Sequence, residues 1–259
     1  MKAFKYLLIL LTCSMFAQQS IEVSFVTKTK IYAKTLVGLN SFEFPFYIKN
    51  GSFTTEKGNI EFTYSNIQLG QITSANTFNP LKINVFYKNF NTVVILDNRL
   101  TEMFKIDFNT IQPFKDITHI STGNDNTIWL FNQNNQQLEN YDYKTNTTRV
   151  QTLPIQGEIL DLKSNYNFCW LLTKDYIHTY NYVGSLLSKI KNTGFTKFVE
   201  LNGDLILQKE NQLFYLDKDT EILTELKIPK LLIKQFLVTN QTLYIYDDEY
   251  LYQYRLKTD

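Results

Sequence analysis

An all-β fold, built from about six four-stranded antiparallel sheets set around a common axis, is predicted by three observations. First, a short β-rich run entering a polar turn recurs along the chain. Its copies are Thr92-Val-Val-Ile-Leu-Asp, Thr127-Ile-Trp-Leu-Phe-Asn, Phe168-Cys-Trp-Leu-Leu-Thr, Asp204-Leu-Ile-Leu-Gln-Lys and Thr242-Leu-Tyr-Ile-Tyr-Asp. Second, anchored on Val94, Trp129, Trp170, Ile206 and Tyr244, the copies fall 35, 41, 36 and 38 residues apart. A period near 40 made of strands points to small sheets repeated radially. Third, the two ends of the chain are complementary. The last unit has three strands and then stops, while the run 21–26 is a strand with no sheet of its own. A circular array has to close, because an unpaired edge exposes backbone donors and acceptors. The N-terminal strand is therefore expected to complete the last sheet. Five or seven sheets are the alternatives to six.

Taken in order, residues 1–17 lie outside the fold. Lys2 and Lys5 form a basic start, 6–16 an apolar run, and Ala17 precedes Gln18. The run is too short to span a bilayer, which takes ~20 residues. It reads as a secretory signal cleaved between Ala17 and Gln18. Leu10-Leu-Thr-Cys13 resembles a bacterial lipobox, which offers lipidation of Cys13 as an alternative. Thr12 departs from that motif, which takes Gly, Ala or Ser there. From 18 to 259 no Gly- or Pro-rich linker divides the chain, so one domain is expected.

The first unit of that domain, at 33–77, is irregular, with strands expected at 44–48 and 60–64. Further units follow at 78–115, 117–153, 159–192, 196–229 and 231–257. In each, the recurring run leads through a turn to another strand, at 103–108, 138–143, 177–182, 213–216 and 251–256. The unit at 117–153 is the clearest. Ile117-Thr-His-Ile alternates, Asn124-Asp-Asn turns, 127–131 is a strand, Gln133-Asn-Asn-Gln turns, 138–143 is a strand, and 148–153 follows Lys144-Thr-Asn. Strands of five or six residues between Asn/Asp turns make an antiparallel meander.

This arrangement resembles the broad β-propeller superfamily, nearest to divergent secreted propellers of bacterial envelopes with NHL- or YVTN-like blades. The resemblance covers 20–259 and is one of pattern. Gly-His and Trp-Asp signatures, double glycines and Asp-box motifs are all missing from the sequence, so it transfers no functional residue. It implies the fold, and that fold hosts enzymes, lectins and scaffolds alike.

Charge argues against a nucleic-acid partner. With 26 basic and 25 acidic residues the net charge is +1, too small a bias to gather a polyanion or an anionic membrane. Once a signal is removed, Cys169 is the one remaining cysteine, so no internal disulfide is expected. Between Phe168 and Trp170 its thiol is expected to serve as a small apolar group.

Catalytic signatures are sparse. His119 and His178 sit in separate strands without ligand spacing for zinc, and read as half-buried, locally hydrogen-bonded side chains. There is no Gly-x-Ser-x-Gly elbow, and Gly51, Gly58 and Gly70 are isolated, which argues against a phosphate loop. Asp217 with Asp219, and Asp247-Asp248-Glu249, read as acidic turns rather than calcium sites. Asp97 reads as a turn residue bonded to its own backbone. No cofactor or metal is expected.

Aromatic residues are more suggestive. Tyr250, Tyr252 and Tyr254 alternate along one strand and share a face. They are the candidate ligand or partner contacts, with packing between sheets as the alternative, since Tyr141/Tyr143 and Tyr180/Tyr182 repeat the device. The reading that follows is a non-enzymatic, exported module, monomeric on its own and without a transmembrane span in its mature chain. It would bind another envelope protein in the periplasm or at the outer membrane or cell surface. The alternatives are a glycan- or small-ligand-binding protein, and a hydrolase or lyase with its site in the central channel. Such a site would draw on polar residues of first strands, of the sort of Lys163, Glu200 and Thr239.

Overall fold

The computed structural model describes residues 20–31, 35–39, 44–239 and 241–256. The expected signal, its Ala17–Gln18 junction and Cys13 lie outside these residues.

Strand β1 (Ser20–Lys30) opens the described chain. Four four-stranded antiparallel sheets follow. The first holds β2 (Thr35–Leu39), β3 (Pro45–Lys49), β4 (Ser52–Lys57) and β5 (Ile60–Tyr64). The second holds β6 (Ser74–Asn76), β7 (Ile83–Tyr87), β8 (Thr92–Leu96) and β9 (Glu102–Asp107). The third holds β10 (Ile117–Thr122), β11 (Thr127–Asn132), β12 (Gln137–Asp142) and β13 (Thr147–Gln151). The fourth holds β14 (Ile159–Ser164), β15 (Phe168–Thr173), β16 (Tyr176–Asn181) and β17 (Leu186–Lys191). The remaining strands are β18 (Lys197–Leu201), β19 (Asp204–Lys209), β20 (Gln212–Leu216), β21 (Leu223–Lys227), β22 (Gln235–Thr239), β23 (Thr242–Tyr246) and β24 (Tyr250–Leu256). They join β1 in one eight-stranded sheet of order β18-β19-β20-β21-β1-β24-β23-β22. No helix among the described residues is long and apolar enough to cross a membrane.

Burial explains why these runs become strands of different kinds. Every residue of β7, β8 and β11 is buried, as continuous apolar runs covered on both faces require. The outermost β13 alternates between exposed and half-buried residues instead, the period-2 pattern of a strand with one wet face. Turns are set by side chains bonding their own backbone. Asp97 Oδ1 accepts from Arg99 N and Thr101 N at 2.8 Å each. Asn165, Asp217 and Asp247 do the same for the residues two and three positions on. The two acidic clusters are thus turn-forming, and no group of three or more His, Cys, Asp or Glu side chains among the described residues is placed to hold a metal.

The core lies between successive four-stranded sheets and, in the eight-stranded sheet, between its β18–β21 and β22–β24 parts. Phe46 and Phe53 of the first sheet pack with Val85 and Val94 of the second. Val93 and Phe108 pack with Ile128 and Tyr141, Trp129 with Leu162 and Leu171, and Trp170 with Phe198 and Leu207. Ile206 packs with Leu243 and Tyr254, and Tyr244 closes the circuit on Leu36. First strands correspondingly sit side by side: β2 with β6 and β22, β14 with β10 and β18, and β18 with β22.

The first and last described strands meet in the eight-stranded sheet. β1 runs antiparallel to β24 from Val23↔Leu256 to Lys30↔Tyr250, with a bulge between Phe25 and Thr27. Its first three residues run parallel to β21.

Two sequence expectations are corrected. The run 92–96, aligned above with second strands, forms β8, the third strand of its sheet, and that sheet begins at Ser74 rather than 78. Second and third strands are both continuous apolar runs here, so local pattern alone does not separate them. The irregular unit also holds two unforeseen strands, β2 and β4, whose Thr-, Gly- and Lys-containing sequences carry little apolar alternation.

Candidate functional site

Strands β2, β6, β14, β18 and β22 surround a central cavity of about 590 Å³. An adjoining recess of about 250 Å³ lies among β6, Lys88, β10 and β14. Polar side chains fasten the wall. Leu36 N donates to Gln235 Oε1 at 2.6 Å, joining β2 to β22. Asn76 Nδ2 donates to Ser121 Oγ at 3.1 Å, joining β6 to β10, and Ser164 Oγ donates to the Thr122 carbonyl, joining β14 to β10. Phe198 N donates to Asp161 Oδ2 at 3.3 Å, joining β18 to β14. Gly38 stands where β2 passes Thr77 so closely that a Cβ would lie 2.1 Å from Thr77 Oγ1. A side chain at this position would require Thr77 to move.

Within this wall Lys163 Nζ lies 3.2 Å from Asp161 Oδ1, two residues apart on one strand face. Asp161 Oδ1 also accepts from Leu162 N at 2.9 Å. Glu200 Oε1 accepts from Asn165 Nδ2 at 3.0 Å and Gly203 N at 3.1 Å. His119 is half-buried, with Nδ1 3.0 Å from Thr118 Oγ1. Burial pushes its pKa down to about 4; Asp161 opposes the shift, and Lys88 and Lys163 add to it. The imidazole is therefore neutral at pH 7, offering one donor and one acceptor. Thr239 Oγ1 is buried and has no hydrogen-bond partner among the described residues.

Lys163, Glu200 and Thr239 accordingly meet around one cavity. His119 joins them through the recess, a placement that its isolated position in the sequence did not signal. The tyrosine stripe lies elsewhere. Tyr254 is 2% exposed within the core of the eight-stranded sheet and presents no ring to a partner. Tyr252 OH donates to Asp247 Oδ2 at 3.0 Å, and the Tyr250 ring lies 4.7 Å from Lys28 Nζ. Exposed aromatic rings instead mark the cavity mouth. Phe78, which lines it, meets Tyr166 edge to face with centroids 5.1 Å apart. His178, with lowered pKa from burial and then Lys189, packs against Tyr176 and Tyr180 away from the channel.

Sheets repeated around a channel, with cores between neighbours, define a β-propeller. No protein-family model matches the chain, and no curated protein matches it by sequence. Among solved structures it is similar to virginiamycin B lyase from Staphylococcus aureus, with TM-score 0.65 and 12% identity over 93% of this chain and 96% of that one. It is also similar to a streptogramin B lyase (TM-score 0.63, 13% identity, 92% and 88% covered). A third likeness is to BamB from Moraxella catarrhalis (TM-score 0.51, 14% identity, 83% and 68% covered). At these identities the likeness carries the fold alone. It nevertheless overturns the expectation of a non-enzyme: two of these neighbours are lyases, so missing motifs do not exclude catalysis on this architecture.

Proposed function

We propose that the protein is an exported propeller of six blades that binds a small ligand at the mouth of its central channel. His119, Asp161 and Lys163 are the groups placed to act on that ligand. The count of six divides the eight-stranded sheet between β21 and β1, and export rests on the signal-like residues 1–17. One observation supports the binding reading above others. The cavity of about 590 Å³ falls in the range of ligand sites, roughly 300–1,000 Å³, and gathers charged groups from different blades. The test is a thermal-shift screen of small metabolites and sugars against the protein and a Val199→Trp variant that fills the cavity. Ligands that stabilise the parent alone support the reading, and their mass-spectrometric recovery after incubation reports any turnover. Equal shifts in both proteins count against it.

A second reading, docking to another envelope protein, is favoured by an apolar patch on the perimeter. Tyr182, Val183, Leu186 and Leu187 of the fourth sheet are exposed. A hydrogen bond of 2.7 Å from Ser188 Oγ to Glu221 brings them beside exposed Ile222 and Leu223. Contiguous exposed apolar surface marks interaction sites. A partner retained by the parent and released by Leu187→Asp supports this reading; equal retention by both rejects it.

A further inference from the structure

We infer that the ligand of the channel is a small anion with an apolar body, its head held by Lys88 and Lys163 and its body by Val37, Val199, Leu237 and Phe78. This deepens the binding reading above and rests on it.

The inference follows from what the wall leaves unused. Most acceptors that face the channel already serve the fold. Both oxygens of Asp161 are engaged, one by Lys163 and Leu162 N, the other by Phe198 N. Gln235 Oε1 is taken by Leu36 N, and Glu200 Oε1 by Asn165 and Gly203. The donors are in surplus. An ammonium carries three N–H groups, and Lys163 spends one direction on Asp161. Lys88 lines the recess with no ion-pair or hydrogen-bond partner for its ammonium among the described residues. Within the recess two ammoniums thus face one carboxylate, an excess of one positive charge in a half-enclosed space where charges are screened less than at an open surface. The larger cavity adds Lys197 and Glu200, one charge of each sign, and leaves that excess unchanged. Across the channel the wall is apolar: Val37, Val199 and Leu237 are partly buried hydrophobic residues that line the cavity. Phe78 and Tyr166 extend that apolar surface to the mouth. A bare anion leaves the second wall uncovered, and a neutral apolar molecule leaves the cations unmatched.

His119 supplies an internal reporter. The charged groups facing it are Asp161, Lys88 and Lys163, and β6 adds only Ser74, Ala75 and Asn76. An anion between the two ammoniums offsets their repulsion of imidazolium, so the His119 titration moves upward when the site fills.

The experiment measures binding of 3-phenylpropionate, phenyl phosphate, 3-phenylpropanol and inorganic phosphate by calorimetry, with NMR of the His119 ring. The two aryl anions are expected to bind roughly tenfold or more tighter than the alcohol or free phosphate, and to move the His119 titration upward. Their relative affinity distinguishes a carboxylate from a phosphate head. Lys163→Met is expected to remove the preference for anions; if that variant does not fold, Lys88→Met, at an exposed side chain, is expected to weaken it. Equal binding of the alcohol, blocked by Val199→Trp, overturns the anionic class while keeping the channel as the site. Binding indifferent to Val199→Trp, or no binding by any of the four, overturns both.

Discussion

Lys115 Nζ and Glu139 Oε2 lie 2.5 Å apart with side chains 4% and 0% exposed, a buried ion pair inside the third blade. Both Glu139 oxygens are engaged: Oε1 accepts from Asn132 Nδ2 at 2.9 Å and Oε2 also from Thr148 Oγ1 at 2.9 Å. The pair pins the loop before β10 to the middle of β12. Glu139→Ala leaves an ammonium buried without a counter-charge, which costs roughly 3–5 kcal/mol. Replacing both partners, as Lys115→Met with Glu139→Leu, is expected to cost less than Glu139→Ala alone. Urea unfolding of the three variants checks the order, and a double variant weaker than the single one refutes it.

That pair was illegible in the sequence, whereas the sheets were not. Lys115 stands between Phe114 and Asp116 and looks like any solvated loop residue, because partnership across 24 positions leaves no local trace. Strand pattern is local, so β11, β15, β19 and β23 were readable from Trp129, Trp170, Ile206 and Tyr244. The pairing of β1 with β24 was readable from the unmatched ends. The channel was only half visible: period-2 alternation says which residues share a face, not whether that face meets solvent, a neighbouring sheet or the axis. Hence the shared face of Tyr250, Tyr252 and Tyr254 left contact and packing as alternatives, of which Tyr254 takes packing, and the half-buried, locally bonded His119 gave no sign that it lines a recess.

Removing residues 20–27 tests closure. Val23, Ser24, Phe25 and Thr27 pair with β24, and Ser20 to Glu22 with β21. Ile21 and Val23 pack on the core formed by residues of β19, β23 and β24. Their loss exposes the edges of both β21 and β24. The expected outcome is collapse of the cooperative unfolding transition for the whole domain, followed by circular dichroism. A truncated protein that melts at the parent temperature rules the closure out.

His119 gives stability a pH dependence with a defined sign. Burial, supported by Lys88 and Lys163 against Asp161, lowers its pKa to about 4 from an unfolded value of 6.5. Between these values the unfolded chain binds the proton and the folded chain does not. Stability is therefore full above pH 6.5 and declines as the pH falls towards 4. His119→Gln is expected to flatten that part of the profile, with His178, also lowered, accounting for a remainder. An imidazole titration near 6.5 in the folded protein contradicts the assignment.

Cys169 is 0% exposed between the third and fourth blades, and burial raises its thiol pKa well above the ordinary value. Thiolate is the reactive form, so a disulfide reagent at neutral pH is expected to label it at the rate of unfolding. Labelling that is complete within mixing time in the native protein disproves this.

Asn192 shows how one side chain sets a blade-to-blade connection. Its Nδ2 donates to the Thr173 carbonyl at 2.9 Å and the Phe195 carbonyl at 3.0 Å. Its Oδ1 accepts from Gly194 N at 3.0 Å and Phe195 N at 2.8 Å. Asn91 performs the corresponding task two connections earlier along the chain, donating to the Lys115 carbonyl and accepting from Ile117 N. In both cases the amide replaces backbone partners that an irregular connector cannot supply. Asn192→Leu keeps the volume and removes all four bonds, leaving buried donors and acceptors unmatched at about 1–3 kcal/mol for each group water cannot reach. Asn192→Asp retains the two accepting bonds but turns the donors into acceptors facing carbonyls, so it is expected to be at least as damaging. Asn167→Leu, at an exposed turn where the side chain makes no such bonds, serves as the control and should change stability little. If Asn192→Leu unfolds at the same urea concentration as that control, the connection is held by packing of Phe195 against Phe214 and not by the amide.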